Sequence, residues 1–386
     1  MTTATNIPFA RPWITDADRQ AVMEVLEGHI LTHGPEGKAF EAEFAEFLGG
    51  EAHCVSVSSC MAALHLAYLH LGIGPGDEVI VPAQTHVATA HAVEWVGAKP
   101  IFVDCDPKTG NLTAERIAER LTPQTKAISV VHFIGIPCPM GEIVALAERY
   151  GLRIVEDCAL AVGTRYDGRH VGLFGDAGCF SFYPVKHLTT GEGGMFVSRN
   201  LGIAEAVGRL RAFGVDRTHG ERSVPGMYDV PSLGLNYRMS ELQAALGRSQ
   251  LRRVGENLAR RRANFSRLAS ELGSLPNVAI LEGDDPRAQN SPYCLSLVLD
   301  GPLAPRRNEA IARMNAAGIG TSIYYPKPVP EMTYYREKYP RMESTPQAAR
   351  ISYQSVALPV GPHLGEEEID YVANTVRNIV EELGHG

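Results

Sequence analysis

Short apolar runs alternate with helical patterns along the first half of the chain. The runs are apolar throughout rather than alternating with polar residues, which is typical of strands in a parallel sheet covered on both faces. Helical patterns at 61–71, 113–121 and 141–150 separate several of them, so we expect crossover connections and a mainly parallel sheet of about seven strands. The predicted strands are 53–57, 78–81, 100–103, 127–132, 152–155, 178–182 and 195–198.

Further helices precede and follow this sheet in the sequence. An early helix is expected within 13–27, and a second one shows a buried face through apolar residues spaced i, i+4, i+7 and i+8 from Phe40. Residues 214–232 predict a long polar loop, and long loops of this kind tend to be functional. Ser240 then caps a helix that we expect to continue to about Leu268.

The C-terminal part repeats the mixture of strands and helices on a smaller scale. We expect a strand at 293–299, a helix near 307–317, a strand at 320–324 and a last helix with one apolar stripe. With the long helix as a bridge, the pattern predicts a large domain at 1–251 and a smaller α/β domain at 252–386.

Composition narrows the classes of function. The chain has 386 residues, 45% of them hydrophobic, and a net charge of −8, which disfavours a nucleic-acid partner. The first residues lack a basic and apolar leader pattern, and no apolar run is long enough for a membrane span, so we expect a soluble cytoplasmic protein. Its seven cysteines include no Cys-x-x-Cys pair, which predicts neither a disulfide framework nor a metal site.

One lysine stands in an unusual position. An apolar run from Cys179 to Tyr183 ends at Pro184, Lys186 follows, and a Thr-Thr-Gly-Glu-Gly-Gly turn leads into the next apolar run. Glycines allow the backbone to approach a ligand closely, and partial desolvation frees a lysine amine to form a Schiff base. A lone lysine is usually a surface residue. The strand end and the glycine-rich turn that flank Lys186 favour a reactive lysine at this position.

Residues 181–194 resemble the lysine loop of the sugar-aminotransferase family named after DegT, DnrJ and StrS. In that family a Ser-Phe-x-x-x-Lys run before a Thr-Gly-Glu-Gly-Gly turn carries the lysine that binds pyridoxal 5′-phosphate (PLP). The resemblance extends over nearly the whole chain. It implies the PLP-dependent transferase fold type I, a large domain with a mainly parallel seven-stranded sheet plus a smaller C-terminal α/β domain.

The same resemblance implies roles for residues around the cofactor. Asp157 follows a predicted strand within a Glu-Asp-x-Ala motif and would bind the ring nitrogen, although an Asp there is also often a helix cap. Ser181 would donate to the phosphate. Ser59-Cys60-Met61 replaces the usual Ser-Gly-Thr, so the backbone N–H groups of Cys60 and Met61 remain as donors while the threonine hydroxyl is lost.

Three further positions extend this implied site. His86 stands where the family commonly has an aromatic residue against the cofactor ring, and Leu160 where it usually has Gln or His. Asn236 lies in Gly-Leu-Asn-Tyr-Arg-Met-Ser, which resembles a motif that reaches the phosphate bound by the neighbouring subunit. The resemblance therefore implies a homodimer with shared active sites.

The function implied is transfer of an amino group from an amino acid, with glutamate as the expected donor, to a keto sugar that is expected to be nucleotide-linked. An aminotransferase for a cyclitol ketone stays open, as does a PLP-binding regulatory homodimer without turnover, which Leu160 and Met61 mildly favour. Sugar dehydratases of the same fold carry His at the lysine position, so Lys186 argues against that activity.

Overall fold

The structure is a computed structural model that describes residues 6–216, 224 and 226–385. Of the predicted polar loop at 214–232, residues 217–223 and 225 lie outside the described residues.

A seven-stranded sheet forms the centre of the described chain, with strand order β1-β9-β8-β5-β4-β2-β3. Its neighbours from β8 to β3 pair in parallel, and only β9 runs antiparallel to both of its partners. The predicted α/β fold with a mainly parallel sheet is confirmed. The strands of the described chain are β1 (His53–Val57), β2 (Glu78–Pro82), β3 (Lys99–Val103), β4 (Thr125–Val131), β5 (Arg153–Asp157), β6 (Arg165–Tyr166), β7 (Arg169–His170), β8 (Ala177–Ser181), β9 (Gly194–Ser198), β10 (Val278–Ile280), β11 (Ala288–Gln289), β12 (Leu295–Leu299) and β13 (Ser355–Leu358).

Helices cover both faces of this sheet, as apolar strands require. The α-helices of the described residues are α1 (Asp16–Glu27), α2 (Pro35–Leu48), α3 (Cys60–His70), α4 (Val87–Trp95), α5 (Ala114–Ala118), α6 (Met140–Tyr150), α7 (Leu201–Leu210), α8 (Glu241–Leu251), α9 (Val254–Leu272), α10 (Arg307–Ala316), α11 (Thr333–Lys338), α12 (Pro346–Gln354) and α13 (Glu366–His385). None of these helices combines the length and the apolar character that a membrane crossing needs.

Two predicted elements are wrong in detail. The long helix from Ser240 is divided into α8 and α9, because Arg253 leaves helical geometry (φ −118°, ψ 13°). Its guanidinium binds Asp18 of α1, with Nη1 donating to Oδ1 at 2.8 Å. This tertiary contact, which local helix propensity does not encode, is made where the chain turns between the two helices.

The predicted strand at 320–324 is also wrong. Ser322 forms only an isolated bridge to Ala357, and β13 instead pairs with β12 in the small antiparallel sheet β10-β12-β13. Pro326 and Pro328 lack the N–H groups that would extend a ladder. Four helices of the described residues, α4, α7, α11 and α12, were not predicted. Of these, α4 is short and Ala/Val-rich, so its pattern has little amphipathic contrast.

The small sheet packs with α9, α10 and α13 around a separate apolar cluster that contains Leu297, Met314 and Val376. Ile7 from the N-terminal segment joins this cluster and bridges to Ile319. The division into domains at 1–251 and 252–386 stays a proposal. For the site, the useful consequence is that residues from the C-terminal half reach the carboxyl edge of the large sheet.

Candidate active site

A cavity of about 240 Å³ lies at the carboxyl edge of β5 and β8, beside the beginnings of α3 and α4. This edge is where open α/β sheets usually bind ligands. Six of the seven predicted site residues line it, namely Cys60, Met61, His86, Asp157, Ser181 and Lys186. Asn236 does not line it.

Lys186 lies in the turn after β8, which ends at Ser181 and not at the predicted Phe182. Its backbone N–H donates to the carbonyl of Tyr183 at 2.9 Å, and its Nζ lies 5.1 Å from the ring centroid of Tyr293. Burial lowers the pKa of Lys186 to about 8, while Cys60 and the Asp157 carboxylate act in the opposite direction. About a tenth of the amine is therefore neutral and nucleophilic at pH 7, far more than for an exposed lysine.

Asp157 is the last residue of β5 and is only 5% exposed. Its Oδ1 accepts the N–H of Ala159 at 3.0 Å, and its Oδ2 accepts the hydroxyl of Thr89 at 2.8 Å. The two bonds hold the carboxylate in one orientation at the cavity wall. Thr89 was not found by sequence reasoning, because its pattern within α4 is that of an ordinary buried residue.

The beginning of α3 supplies hydrogen-bond donors to the cavity. The helix begins with Ser59 as its cap, whose Oγ accepts from Ala62 N at 3.1 Å, and the first carbonyl bond runs from Ala63 N to Ser59 O. The N–H groups of Cys60 and Met61 precede that bond and therefore remain for an anion at the positive end of the helix.

Position 194, the last of the Gly-Glu-Gly-Gly turn, requires glycine because the backbone there approaches the beginning of α3 closely. A Cβ at this position would lie 2.5 Å from the carbonyl carbon of Ser59 and 2.6 Å from the nitrogen of Cys60. Any side chain would push β9 away from the beginning of α3, so only glycine permits this approach. The turn and the helix N-terminus thereby form one wall together with the buried Ser181.

The side chain of Cys60 points away from the anion end of the cavity. Its thiol donates to the carbonyl of Cys179 at 3.3 Å and lies 3.8 Å from Asp157 Oδ1. Burial raises the pKa of Cys60 well above its ordinary value, so the group is a neutral thiol. At this position the backbone, and not the side chain, can serve an anion.

His86 and Tyr325 both line the cavity, and their rings contact each other edge to face. His86 is exposed and caps α4, with Nδ1 accepting from Ala88 N at 3.1 Å, and its ring centroid lies 5.5 Å from that of Tyr325. Tyr325 was missed by sequence reasoning, because nothing in its neighbourhood points to the first half of the chain. Leu160 lies on the wall at 3% exposure and presents an apolar surface there.

Asn236 is exposed in a segment that runs beside β1. Tyr237 O accepts from Ser58 N at 2.8 Å, and Asn236 Oδ1 accepts from Arg238 Nε at 3.0 Å. The neighbouring Leu233 is 94% exposed, and Phe213 is exposed as well. Asn236 thus lies on a partly apolar surface outside the cavity of its own chain.

Behind the cavity, His132, Glu156 and Cys158 place ligand-type atoms close together in the described structure. The atoms of the first two already have partners: His132 Nε2 donates to Glu156 at 3.0 Å, and its Nδ1 accepts from Cys138 N. Glu156 also accepts the N–H groups of Gly172, Phe174 and Gly175. This arrangement stabilises the 172–175 turn beneath β5, which is a structural role.

The lowered pKa of Lys186 predicts its labelling behaviour in the cofactor-free protein. An amine-acylating reagent reacts only with the neutral amine, so labelling of Lys186 should rise with a midpoint near pH 8, the pKa that burial gives it. Surface lysines should follow at about pH 10.4. Peptide mapping by mass spectrometry after brief pulses across a pH series measures both. A Lys186 midpoint that coincides with that of the surface lysines would contradict this reading.

Residues 12–377 match the DegT/DnrJ/EryC1/StrS aminotransferase family. With the mainly parallel seven-stranded sheet, this match defines the chain as a PLP-dependent aminotransferase of fold type I. The chain belongs to the DegT/DnrJ/EryC1/StrS family.

Individual relatives agree with this assignment. Spore coat polysaccharide biosynthesis protein SpsC from Bacillus subtilis (strain 168) is 37% identical over 380 residues, 97% of each chain. The solved structure of the aminotransferase TlmJ from Streptoalloteichus hindustanus superposes with a TM-score of 0.90 at 34% identity, covering 98% of this chain and 100% of TlmJ. DesV from S. venezuelae gives a TM-score of 0.87 at 35% identity over 94% of each chain.

Proposed function

We propose that this aminotransferase moves an amino group from glutamate to the ketone carbon of a nucleotide-linked keto-deoxysugar. The observation that carries the proposal is the placement of Lys186, Asp157 and the N-terminus of α3 around one cavity. A relative in spore coat polysaccharide biosynthesis supports a sugar as the acceptor. The resemblance of the lysine loop to sugar aminotransferases supports the same class of substrate.

The residues present fit PLP group by group. Lys186 offers a partly neutral amine for the aldehyde, and Asp157 offers a carboxylate for the ring nitrogen. Ser181 and the N–H groups of Cys60 and Met61 offer donors for the phosphate, and His86 offers a flat partner for the ring. When bound, PLP supplies an electron-poor ring that accepts the electron pair released at the donor's α-carbon.

Within this proposal, each side chain has a limited task. With PLP bound, the amine of Lys186 would move a proton between the α-carbon of the amino donor and the aldehyde-derived carbon of the cofactor, a task to which a pKa near 8 is well suited. Asp157 would hold the proton on the ring nitrogen of bound PLP. Leu160 contributes an apolar wall and no hydrogen bond from its side chain.

We propose further that the enzyme is a homodimer whose sites are shared. Asn236 lies outside its own cavity beside the exposed Leu233 and Phe213, a surface that a second copy of the chain would cover. In such a dimer Asn236 would reach the phosphate site of the other subunit.

Mixing two inactive variants tests this arrangement. Lys186→Ala lacks the amine, and Asn236→Asp sets a carboxylate against the phosphate, so each alone should be inactive. In a mixed dimer both lesions fall in one site and leave the other intact. Since random exchange makes about half of the dimers mixed, activity should return to roughly a quarter of wild type. Exchange demonstrated by differently tagged chains, with no activity regained, would refute the shared site.

The substrate class is tested directly by mass spectrometry. The protein is incubated with glutamate and, separately, with nucleotide-linked keto-deoxysugars, the corresponding free keto sugars and a cyclitol ketone. We expect conversion of a keto group to an amine in the nucleotide-linked set only. Conversion of the cyclitol alone would replace the proposed acceptor, and PLP binding without any turnover would favour a regulatory role.

A further inference from the structure

Two buried threonine hydroxyls lie in line behind Asp157. Thr89, in α4, is 0% exposed, and its Oγ1 lies 2.8 Å from Asp157 Oδ2. Thr85, 1% exposed and just before α4, places its own Oγ1 2.8 Å from that of Thr89. The three groups form a chain of hydrogen bonds from the loop before α4 to the carboxyl end of β5.

The donor and acceptor roles in these hydrogen bonds follow from how many protons each group can donate. An ionised carboxylate can only accept hydrogen bonds, and a threonine hydroxyl has one proton to donate. The proton of Thr89 is therefore used on Asp157, so the contact between the threonines requires Thr85 to donate to Thr89. A protonated Asp157 would remove this requirement, because it could donate to Thr89 itself.

These hydrogen bonds matter because Thr89 contacts the Asp157 carboxylate directly, whereas Lys186 and His86 act on it only through longer-range electrostatic attraction. Among the described residues, no lysine, arginine or histidine forms a salt bridge with it, and its oxygens are held by Ala159 N–H and by Thr89. The Cys60 thiol lies 3.8 Å away and has a closer acceptor in Cys179 O. Thr89 is thus the one hydroxyl donor to Oδ2 in the described structure.

We propose that Thr89, itself oriented by Thr85, is a positioning residue that keeps the Asp157 carboxylate aimed at the ring nitrogen of the bound cofactor. The inference rests on the proposed role of Asp157. Thr89 acts through the carboxylate and does not touch the substrate. Thr85 also lines the cavity.

The test compares Thr89→Val, which keeps the shape but loses the hydroxyl, with Thr89→Ser, which keeps the hydroxyl. In Thr89→Val the turnover number should fall about tenfold, the effect of one hydrogen bond to a charged group, with the KM for the amino donor changed less than about twofold. The PLP dissociation constant should stay within about threefold, because the lysine and phosphate contacts remain. Thr89→Ser should restore the wild-type values.

A spectroscopic readout separates positioning from simple packing. The pH dependence of the absorption spectrum of the bound cofactor reports the protonation of its ring, and it should shift in Thr89→Val and return in Thr89→Ser. Thr125→Val is the matched control, because Thr125 is also buried and its hydroxyl accepts from Thr122 N. Thr125 begins β4, at the end of the strands opposite to the cavity. This control should change neither the spectrum nor turnover.

Each outcome decides the matter. A normal spectrum and turnover in Thr89→Val overturn the proposal, and so does a Thr89→Ser variant as impaired as Thr89→Val. Should Thr89→Val not fold, Thr85→Val takes its place, with a smaller effect of about threefold in the same direction. If Asp157→Asn leaves the spectrum unchanged, the role of Asp157 itself fails. If Asp157→Asn changes it while Thr89→Val does not, only the threonine relay fails.

Discussion

Turnover in Lys186→Ala should fall by at least about a thousandfold, since general acid–base catalysis alone contributes 10² to 10⁴ in rate and the covalent attachment is lost as well. The structure offers no replacement at the same place: among the described residues lining the cavity, Lys186 is the single lysine. PLP should still bind, but weakly, through the N-terminus of α3 and Asp157. Initial rates and equilibrium dialysis of PLP measure the two effects.

Borohydride reduction of the wild-type holoenzyme provides the companion experiment. It should fix the pyridoxyl group on the peptide that contains Lys186, as identified by mass spectrometry. Lys126→Ala, which removes an exposed lysine outside the cavity, should behave as wild type. A label on another lysine, or a Lys186→Ala variant within tenfold of wild-type activity, would show that Lys186 is not the attachment site.

Asp157→Asn should bind PLP nearly normally and lose about 10² to 10³ in turnover. The substitution keeps the size of the side chain but removes the charge, and a charge pair at ~4 Å is worth about 4 kcal/mol at an effective dielectric near 20, before desolvation is subtracted. Lys186 and the donors of α3 are unchanged, so retention of the cofactor should survive. Steady-state kinetics with saturating PLP separate rate from binding.

The control for this variant is Asp284→Asn, at an exposed carboxylate that pairs with Lys108 outside the cavity. Its turnover should stay within about twofold of wild type, because exposed ion pairs contribute little. Near-normal turnover in Asp157→Asn would refute its role at the ring nitrogen. Loss of PLP together with activity would show instead that Asp157 serves mainly to hold the cofactor.

Much of the site could be predicted because its parts follow strands directly in sequence. Asp157 ends β5, and Ser181 ends β8 five residues before Lys186, so the parallel arrangement of those strands places them at one edge. The backbone donors at the beginning of α3 were also predictable, since Ser59 is a local helix cap directly after β1. Local pattern and strand direction bring these groups to one edge, and the resemblance of their motifs to the aminotransferase family predicts their roles there.

Other features depended on contacts between distant parts of the chain. Thr89 contacts Asp157 across 68 positions, and Tyr325 reaches the cavity from the C-terminal half. The division between α8 and α9 is made where Arg253 binds Asp18, which is 235 positions away. A sequence pattern records which face of an element is apolar, but it carries no information on which distant side chain will meet that face.

The sequence by itself therefore determined the parallel sheet, the glycine-rich turn that carries Lys186 and the position of the carboxylate after β5, because hydrophobic periodicity, glycine turns and strand ends are local properties of the chain. Only the tertiary structure decided that Thr85 and Thr89 stand behind Asp157, that the Cys60 thiol turns away from the anion end, and that Asn236 lies outside its own cavity. The physical reason is that hydrogen-bond partners and burial are set by how whole elements pack, and that packing is a property of the assembled chain.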